Sequence, residues 1–534
     1  MTADSIQTTY RFQLLATSDV HGQIVPYDYA TKERRRDSLA ALAPMIRRER
    51  EASPELLLLD NGDALQGTPL AHFAARRSCG GTHPIIAAMN ELGYDAAVFG
   101  NHEFNYGREL LEKAVRESEF PWLSAGIVDR ATDEPAFGKP YIIKRINNGT
   151  IKIAVLGVTT HYIPNWENPE HIEGLRFQDA LETVKHWAAH IREEEKPDLL
   201  VVAYHGGFER SLADGTAAER LTGENQAYAM CEAAKEAGID VIITGHQHRL
   251  IADEVLGVTV LQPGFGGETI GKVTVDFEHE NGRWTIREKK AELLTPNEWE
   301  TDEQVTAVVD EAERQTQVWL DEPIGTVEGD MSVREGTIAS RMADHPFISF
   351  VHRAQMEASG AELSVAAHLA EQPLGFGAQV TMRDVLANFR FPNTLTVLRL
   401  SGRDIRDALE RTADYFRLDE SGEPQVNPAY LEPKPQHYNY DMWAGIEYVL
   451  DIRQPVGYRV ATVTRNGKPV TDDDSFEVVM NNYRASGGGD YEMFRGRPVV
   501  REMMIEQAEL FADYFRRYRS VRAECSHSWK VVYE

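Results

Sequence analysis

Five short segments carry side chains that can bind metal ions, and each follows directly on an apolar run. TSDVHG holds Asp19 and His21, and DNGDALQG holds Asp63. GNHEFNYG holds Asn101 and His102, AYHGG holds His205, and TGHQH holds His246 and His248. The donors are imidazole, carboxylate and one amide oxygen. That mixture suits Zn, Mn, Fe or Co better than Ca or Mg, which take oxygen alone. Asp19, His21, Asp63, Asn101, His205, His246 and His248 together are too many for one tetrahedral ion. They suit two divalent cations sharing a carboxylate, roughly 3.5–4 Å apart, a spacing that clamps a phosphoryl group and activates water. Phosphoryl transfer asks mainly for positioning and charge neutralisation.

Elements that bring such scattered loops together are visible in the pattern. Apolar runs at residues 12–17, 56–60, 96–99, 151–158, 199–204 and 241–244 read as buried strands. Amphipathic stretches at 37–51, 84–92, 180–195 and 225–237 read as the helices between them. This alternation predicts an α/β layered domain, whose buried strands read as continuous apolar runs. Loops beyond the carboxyl ends of such strands converge on one crevice. Alternation along a strand places residues i and i+2 on one side, which is the expected reason for the D-x-H and H-x-H spacings.

Between residues 258 and 277, short strands separated by glycine close this domain. A charged amphipathic helix over about 302–320 follows, and helices at 347–357 and 402–415 alternate with strands at 394–400 and 475–480. The domain reading is 1–295, a helical linker over 296–325, and a second domain over 326–534.

Bulk properties narrow the functional classes. The chain has 534 residues, more than one core accommodates, with 42% apolar and 26% charged residues. A net charge of -28 repels nucleic-acid backbones and anionic membranes, so the expected partner is a small molecule and neither nucleic acid nor membrane. Cys79, Cys231 and Cys525 are odd in number and widely spaced, which predicts reduced structural thiols. The polar start MTADSIQTTYRF has no secretory character, and the expected location is the cytoplasm. Oligomeric state is open.

The ordered set D-x-H, GD-x-x-QG, GNHE, H-G and GH-x-H resembles the calcineurin-like metallophosphoesterases, and more narrowly the 5'-nucleotidase family. The resemblance implies an α/β (α+β layered) architecture. Its amino-terminal part is a four-layer metallophosphoesterase β-sandwich flanked by helices. A helical linker and a carboxyl-terminal 5'-nucleotidase-type α/β domain that binds substrate follow. Carried over, it makes Asp19, His21, Asp63 and His248 ligands of one ion, and Asp63, Asn101, His205 and His246 ligands of the other. His102 matches the catalytic histidine.

Many 5'-nucleotidases read GNHEFD, whereas this chain has Asn105 at the Asp, with no charge to hold an imidazolium. GNHEFNYG, TSDVHG followed by PYDY, and HPIIAAMN resemble the subgroup of 2',3'-cyclic-nucleotide 2'-phosphodiesterases that are also 3'-nucleotidases. Residues 364–372, SVAAHLAEQ, lack the substrate-binding Arg usual in 5'-nucleotidases. The segments HYNYDMWAGIEYVLDIRQPVGYRV and NNYRASGGGDYEMF resemble nucleoside-binding stretches. They assign base stacking to Tyr440 and Tyr491, with Tyr438 and Trp443 as rivals and Gly487, Gly488 and Gly489 letting Tyr491 approach. The implied function is a dinuclear-metal hydrolase of nucleotide phosphate esters, of the cyclic phosphodiesterase and 3'-nucleotidase type. The alternatives are a 5'-nucleotidase or nucleotide-sugar diphosphate hydrolase, and a catalytically dead nucleotide-binding protein.

Overall fold

The computed structural model describes residues 8–77, 81–219, 221–297, 300–370, 372–391, 393–432, 434–503 and 505–533. The chain divides into two compact units, Met1–Thr316 and Gln317–Glu534.

Two six-stranded sheets build the first unit. One runs in the order Arg283–Leu294, Ile270–Glu280, Thr9–Thr17, Leu57–Asp60, Ala96–Val98, Trp122–Leu123. The other runs Leu250–Val255, Val258–Pro263, Val241–Ile243, Leu199–His205, Ile151–Thr159, Tyr141–Ile146. Their central strands pair in parallel, as Leu14 with Leu57 and Val155 with Val201. Antiparallel strands close the edges, for example Ile270–Glu280 against Arg283–Leu294.

Period-two alternation explains the layering. Phe12, Leu14 and Ala16 of the first sheet meet Ile153, Val155, Val201 and Ile243 of the second in one buried cluster. The opposite side chains of the second sheet, Ala154, Leu156, Val158, Leu200 and Val202, pack instead against the helices Ala180–Glu194 and Ala227–Ala237. Strands covered on both faces have no polar positions to alternate with, hence the continuous apolar runs. The expected strands and helices of this half are all present, within a few residues of their predicted ends. The helices Pro69–Arg76 and Arg108–Glu117 were not anticipated.

The helix Glu303–Leu320 leads out of the first unit. In the second unit a five-stranded sheet runs Met442–Ala444, Leu363–Ala366, Ser475–Asn481, Leu395–Ser401, Val499–Met503. A capping box of Ser401 with Asp404 starts the helix Gly402–Ala413 directly after a strand. No helix among the described residues is long and apolar enough to cross a membrane. Cys231 is buried at 2% exposure, its thiol pushed up to about 12 by burial. Cys79 lies outside the described residues.

Buried histidines give this fold an acid limit. His83 in the first unit and His352 in the second are each 3% exposed, and burial pulls both down to about 4. An unfolded histidine accepts a proton below about 6.5. The folded groups refuse it until about 4, so their stabilisation is complete above 6.5 and is lost as pH falls between those values. The expected slope is about 1.4 kcal/mol per pH unit for each histidine. Thermal unfolding of wild type and His83→Gln at pH 7 and pH 5 checks this. The wild type should lose more stability across the interval, and an equal loss in both proteins rejects the assignment.

Candidate metal centre

Thr17, Asp60, Val98, His205 and Ile243 end neighbouring parallel strands, and the candidate ligands lie at or just beyond these ends. The backbone knits the loops together. Asp19 N–H donates to the Gly62 carbonyl at 2.8 Å, and His21 N–H donates to the Asp63 carbonyl at 2.8 Å. Asn61 joins the two sheets, since its Nδ2 donates to the Tyr204 carbonyl at 3.1 Å. Close approach is possible because Gly62 and Gly100 lack side chains. A Cβ on Gly100 would sit 2.2 Å from the Asp63 Oδ1, and one on Gly62 would sit 2.5 Å from the Gly100 nitrogen.

The structure corrects the reason expected for the D-x-H and H-x-H spacings. Asp19 and His21 follow the strand that ends at Thr17, and His246 and His248 follow the one that ends at Ile243. All four have positive φ, at 53°, 50°, 66° and 57°, as does Asp63 at 59°. Each is therefore placed by a left-handed turn and not by strand alternation. Non-glycine residues in that region carry a conformational cost that surrounding contacts must offset, and such residues gather at functional sites.

Hydrogen-bond polarity shows which atoms face the centre. His205 Nδ1 donates to the Asn61 carbonyl at 2.7 Å, and His21 Nδ1 donates to the Gln66 carbonyl at 2.9 Å. His246 Nε2 donates to the Glu224 carboxylate at 2.8 Å. Carbonyls and carboxylates only accept, so the remaining nitrogen of each ring, when the ring is neutral, presents a lone pair. These lone pairs meet other acceptors. His205 Nε2 lies 3.2 Å from Asp63 Oδ2 and 3.2 Å from Asn101 Oδ1. His246 Nδ1 lies 2.9 Å from the same Asn101 oxygen. His21 Nε2 lies 3.2 Å from His248 Nε2, which is 3.5 Å from Asp19 Oδ1. Asp63 Oδ2 is also 4.0 Å from His21 Nε2, between the two groups.

Acceptors pointed at acceptors need positive charge between them. The two sets Asp19–His21–His248 and Asp63–His205–His246 each bring their ligand atoms within 4.8 Å of one another. The titration behaviour agrees. Burial alone would push the Asp63 carboxyl up, but His205, His102 and His21 outweigh it and hold it well below the usual carboxylate range. Burial alone would pull His205 down, but Asp63, with Asp19 and Glu103, lifts it to about 10, so a proton on Nε2 supplies toward Asp63 the positive charge that a cation would supply. The donor chemistry and the field both fit divalent cations, and the hydrogen bonds behind each imidazole are the orienting contacts such ligands use.

His102 borders this cluster. Its backbone N–H donates to Asp63 Oδ1 at 2.7 Å, and its ring centroid is 5.3 Å from that of His21. Its Nδ1 meets Asn105 Oδ1 at 2.6 Å. All the expected metal and catalytic residues of the first unit are thus gathered at one place.

Three glutamates were missed by the sequence reading. Glu103 is 1% exposed and accepts backbone N–H groups of Asp63, Ala64, Leu65 and Gly100 at 2.8, 2.7, 3.1 and 2.6 Å. It holds the Asp63 and Asn101 loops in register, and its position inside GNHE was the available signal. Glu224 and Glu167, which meet His246 and Asn105, sit in loops that carry no recognisable pattern.

In the second unit the expected base-stacking residues are corrected. Tyr440 and Tyr491 are both 0% exposed. Tyr491 is covered by Phe494 stacked at 5.6 Å and by the Arg484 guanidinium 4.0 Å from its ring centroid, and its hydroxyl donates to the Asn439 carbonyl at 3.1 Å. Tyr440 packs against Tyr415 and Phe416 at 5.0 and 5.4 Å. Neither ring has a face for a ligand, and the rival Trp443 is equally buried. Tyr438 is half-buried, with its ring 6.5 Å from that of half-buried Tyr483. The glycine loop serves Tyr483, because a Cβ on Gly488 would lie 2.6 Å from that ring.

Known proteins share these features. A family model described as calcineurin-like phosphoesterase matches residues 12–250, and one described as 5'-nucleotidase, C-terminal domain, matches residues 323–496. The trifunctional nucleotide phosphoesterase protein YfkN of Bacillus subtilis is 27% identical over 99% of this chain, which spans 39% of that protein's length. A 2',3'-cyclic-nucleotide 2'-phosphodiesterase/3'-nucleotidase of Yersinia enterocolitica is 26% identical over 99% of this chain and 89% of its own. A Staphylococcus aureus crystal structure, described as a candidate 5'-nucleotidase in complex with alpha-ketoglutarate, superposes with a TM-score of 0.89. It is 35% identical and covers 98% of this chain and 100% of its own.

Proposed function

The chain belongs to the 5'-nucleotidase family of calcineurin-like phosphoesterases and is a metal-dependent phosphoric ester hydrolase, and from that premise we propose that its substrates are nucleotides carrying a 2',3'-cyclic phosphate or a 3'-phosphate. The observation that carries the reading is the convergence of imidazole lone pairs, carboxylates and one amide oxygen beside His102. The cyclic and 3' preference is supported by the name of the Yersinia enterocolitica relative, and by the absence of arginine from residues 364–372. A terminal 5'-phosphate loses a cationic partner there, whereas a cyclic diester carries less charge and needs it less.

Asp19, His21, Asp63 and His248 would hold one ion, and Asp63, Asn101, His205 and His246 the other. The mixed ligands favour Zn, Mn, Co or Fe. When bound, such ions supply Lewis acidity to the phosphoryl oxygens and to an attacking water. Asp63 would serve both ions, and its Oδ1 accepts the His102 backbone N–H. Asn105 holds the His102 ring at Nδ1, which leaves Nε2 to carry the proton that the leaving oxygen takes as its bond to phosphorus breaks. Tyr438 and Tyr483, both half-buried, would be the rings that meet the base.

Hydrolysis of 2',3'-cyclic AMP, 3'-AMP, 5'-AMP and UDP-glucose, measured side by side, tests the preference. The first two should turn over fastest, and faster 5'-AMP turnover transfers the protein to the 5'-nucleotidase reading. Loss of one stacked ring costs roughly 1–3 kcal/mol, so Tyr438→Ala should raise KM for nucleotides about 5- to 150-fold. KM for p-nitrophenyl phosphate should stay within about twofold, since that substrate carries no base. Equal shifts for both substrates remove Tyr438 from the base site.

A further inference from the structure

A chain of hydrogen bonds runs outward from His102, and every link has only one possible polarity. Glu167 lies in the turn after the short helix Ile163–Asn165, and its side chain is 6% exposed. A carboxylate only accepts. Its Oε1 takes the Asn168 backbone N–H at 2.7 Å and faces His171 Nδ1 at 2.9 Å. Its Oε2 takes the Asn105 amide Nδ2 at 2.7 Å. With its NH2 committed to Glu167, Asn105 can offer only Oδ1 to His102, and that oxygen is 2.6 Å from Nδ1. An amide oxygen cannot donate, so the hydrogen in this contact belongs to His102 Nδ1. With Nδ1–H bound to Asn105, the ring can take a second proton at Nε2, and that proton can pass to a substrate oxygen and leave a neutral imidazole.

We propose that Glu167 is a positioning residue that sets, through the amide of Asn105, the tautomer of His102. An amide by itself cannot do this, because it presents oxygen or NH2 equally well after a half-turn. Left alone, Asn105 would hold either tautomer of the ring. Glu167 removes that freedom. It is itself held by the Asn168 N–H, a backbone donor that cannot reverse its role. The carboxylate thus acts one link away from the imidazole, with a neutral amide between them. This inference rests on the reading that His102 serves the leaving oxygen from Nε2.

An exchange of the two polar groups tests it. In Glu167→Gln, the oxygen must stay on the Asn168 side, so an NH2 turns toward Asn105. Asn105 then flips and offers its own NH2 to His102, which must accept at Nδ1 and so cannot hold hydrogens on both nitrogens, the form that donates from Nε2. In Asn105→Asp, two carboxylates face each other across the same contact. In the double variant Glu167→Gln with Asn105→Asp, the glutamine NH2 donates to the aspartate, which again accepts from His102 Nδ1. Each single variant should therefore lower kcat about 100-fold, the lower end of what general acid–base groups contribute, and the double variant should recover to within about fivefold of wild type. KM should change by less than about twofold throughout, because substrate binding is untouched.

The second readout is 15N NMR of metal-free protein labelled at histidine, with His102 assigned by its loss in His102→Ala. Wild type and the double variant should show the Nδ1–H form, and Glu167→Gln the Nε2–H form. Bound metal, measured after loading, should be equal in all of them. Failure of the double variant to recover, or an unchanged tautomer in Glu167→Gln, overturns the role of Glu167. A wild-type protein that hydrolyses no phosphate ester defeats the functional reading instead, and the tautomer measurement then still decides for or against Glu167.

Discussion

Asp63→Ala is expected to abolish turnover and strip the centre of metal. Asp63 Oδ2 lies between the two ligand groups, 3.2 Å from His205 Nε2 and 4.0 Å from His21 Nε2, so both ions would lose a shared ligand. The same side chain also fixes His102 through Oδ1. Metal ions supply several kcal/mol of transition-state stabilisation, and about 4 kcal/mol corresponds to roughly a thousandfold in rate. The fall in kcat should be at least about that large. Metal analysis after dialysis should find about two ions per chain in wild type and well under one in the variant. Circular dichroism should remain native-like, because Glu103 still holds the backbone of residues 63–65 and Gly100 when the single bond from His102 N–H to Asp63 is lost. A variant that keeps both its metal and its rate removes Asp63 from the centre.

His102→Ala should separate chemistry from metal binding. The ring borders the cluster, but its Nδ1 is committed to Asn105, so the metal content should match wild type. Hydrolysis of 3'-AMP and 2',3'-cyclic AMP should slow by about 10²–10⁴-fold in kcat, the range for loss of a general acid. The ribose oxygen is a poor leaving group and needs a proton, whereas p-nitrophenolate leaves readily without one. The variant should therefore lose much less activity on a p-nitrophenyl phosphate ester. Equal losses on all substrates contradict the proton-donor role, and loss of metal makes His102 a ligand.

Much of the layout was readable because its causes are local. A strand covered on both faces must be apolar throughout, so Leu199–His205 and Val241–Ile243 stand out in any reading. Ligands directly after such runs can only lie at the strand ends. Other features depend on contacts between distant segments. The D-x-H and H-x-H pairs owe their common direction to left-handed turns stabilised by neighbouring loops, not to pleating. The resemblance assigns base stacking to Tyr440 and Tyr491, yet Tyr415, Phe494 and Arg484 close over them. The neighbouring Tyr438 and Tyr483 are only half-buried.

From the amino-acid sequence alone came the kinds of donor and the strands that deliver them, since residue chemistry and hydrophobic period are written along one dimension. Tertiary structure alone decided which nitrogen of each histidine turns inward and which glutamates stand behind it. Asn105 and Glu167 are 62 residues apart and His246 and Glu224 are 22 apart, and only folding brings an acceptor to the back of a ring. The direction of a hydrogen bond belongs to the pair of groups that make it, and no spacing along the chain encodes that pair.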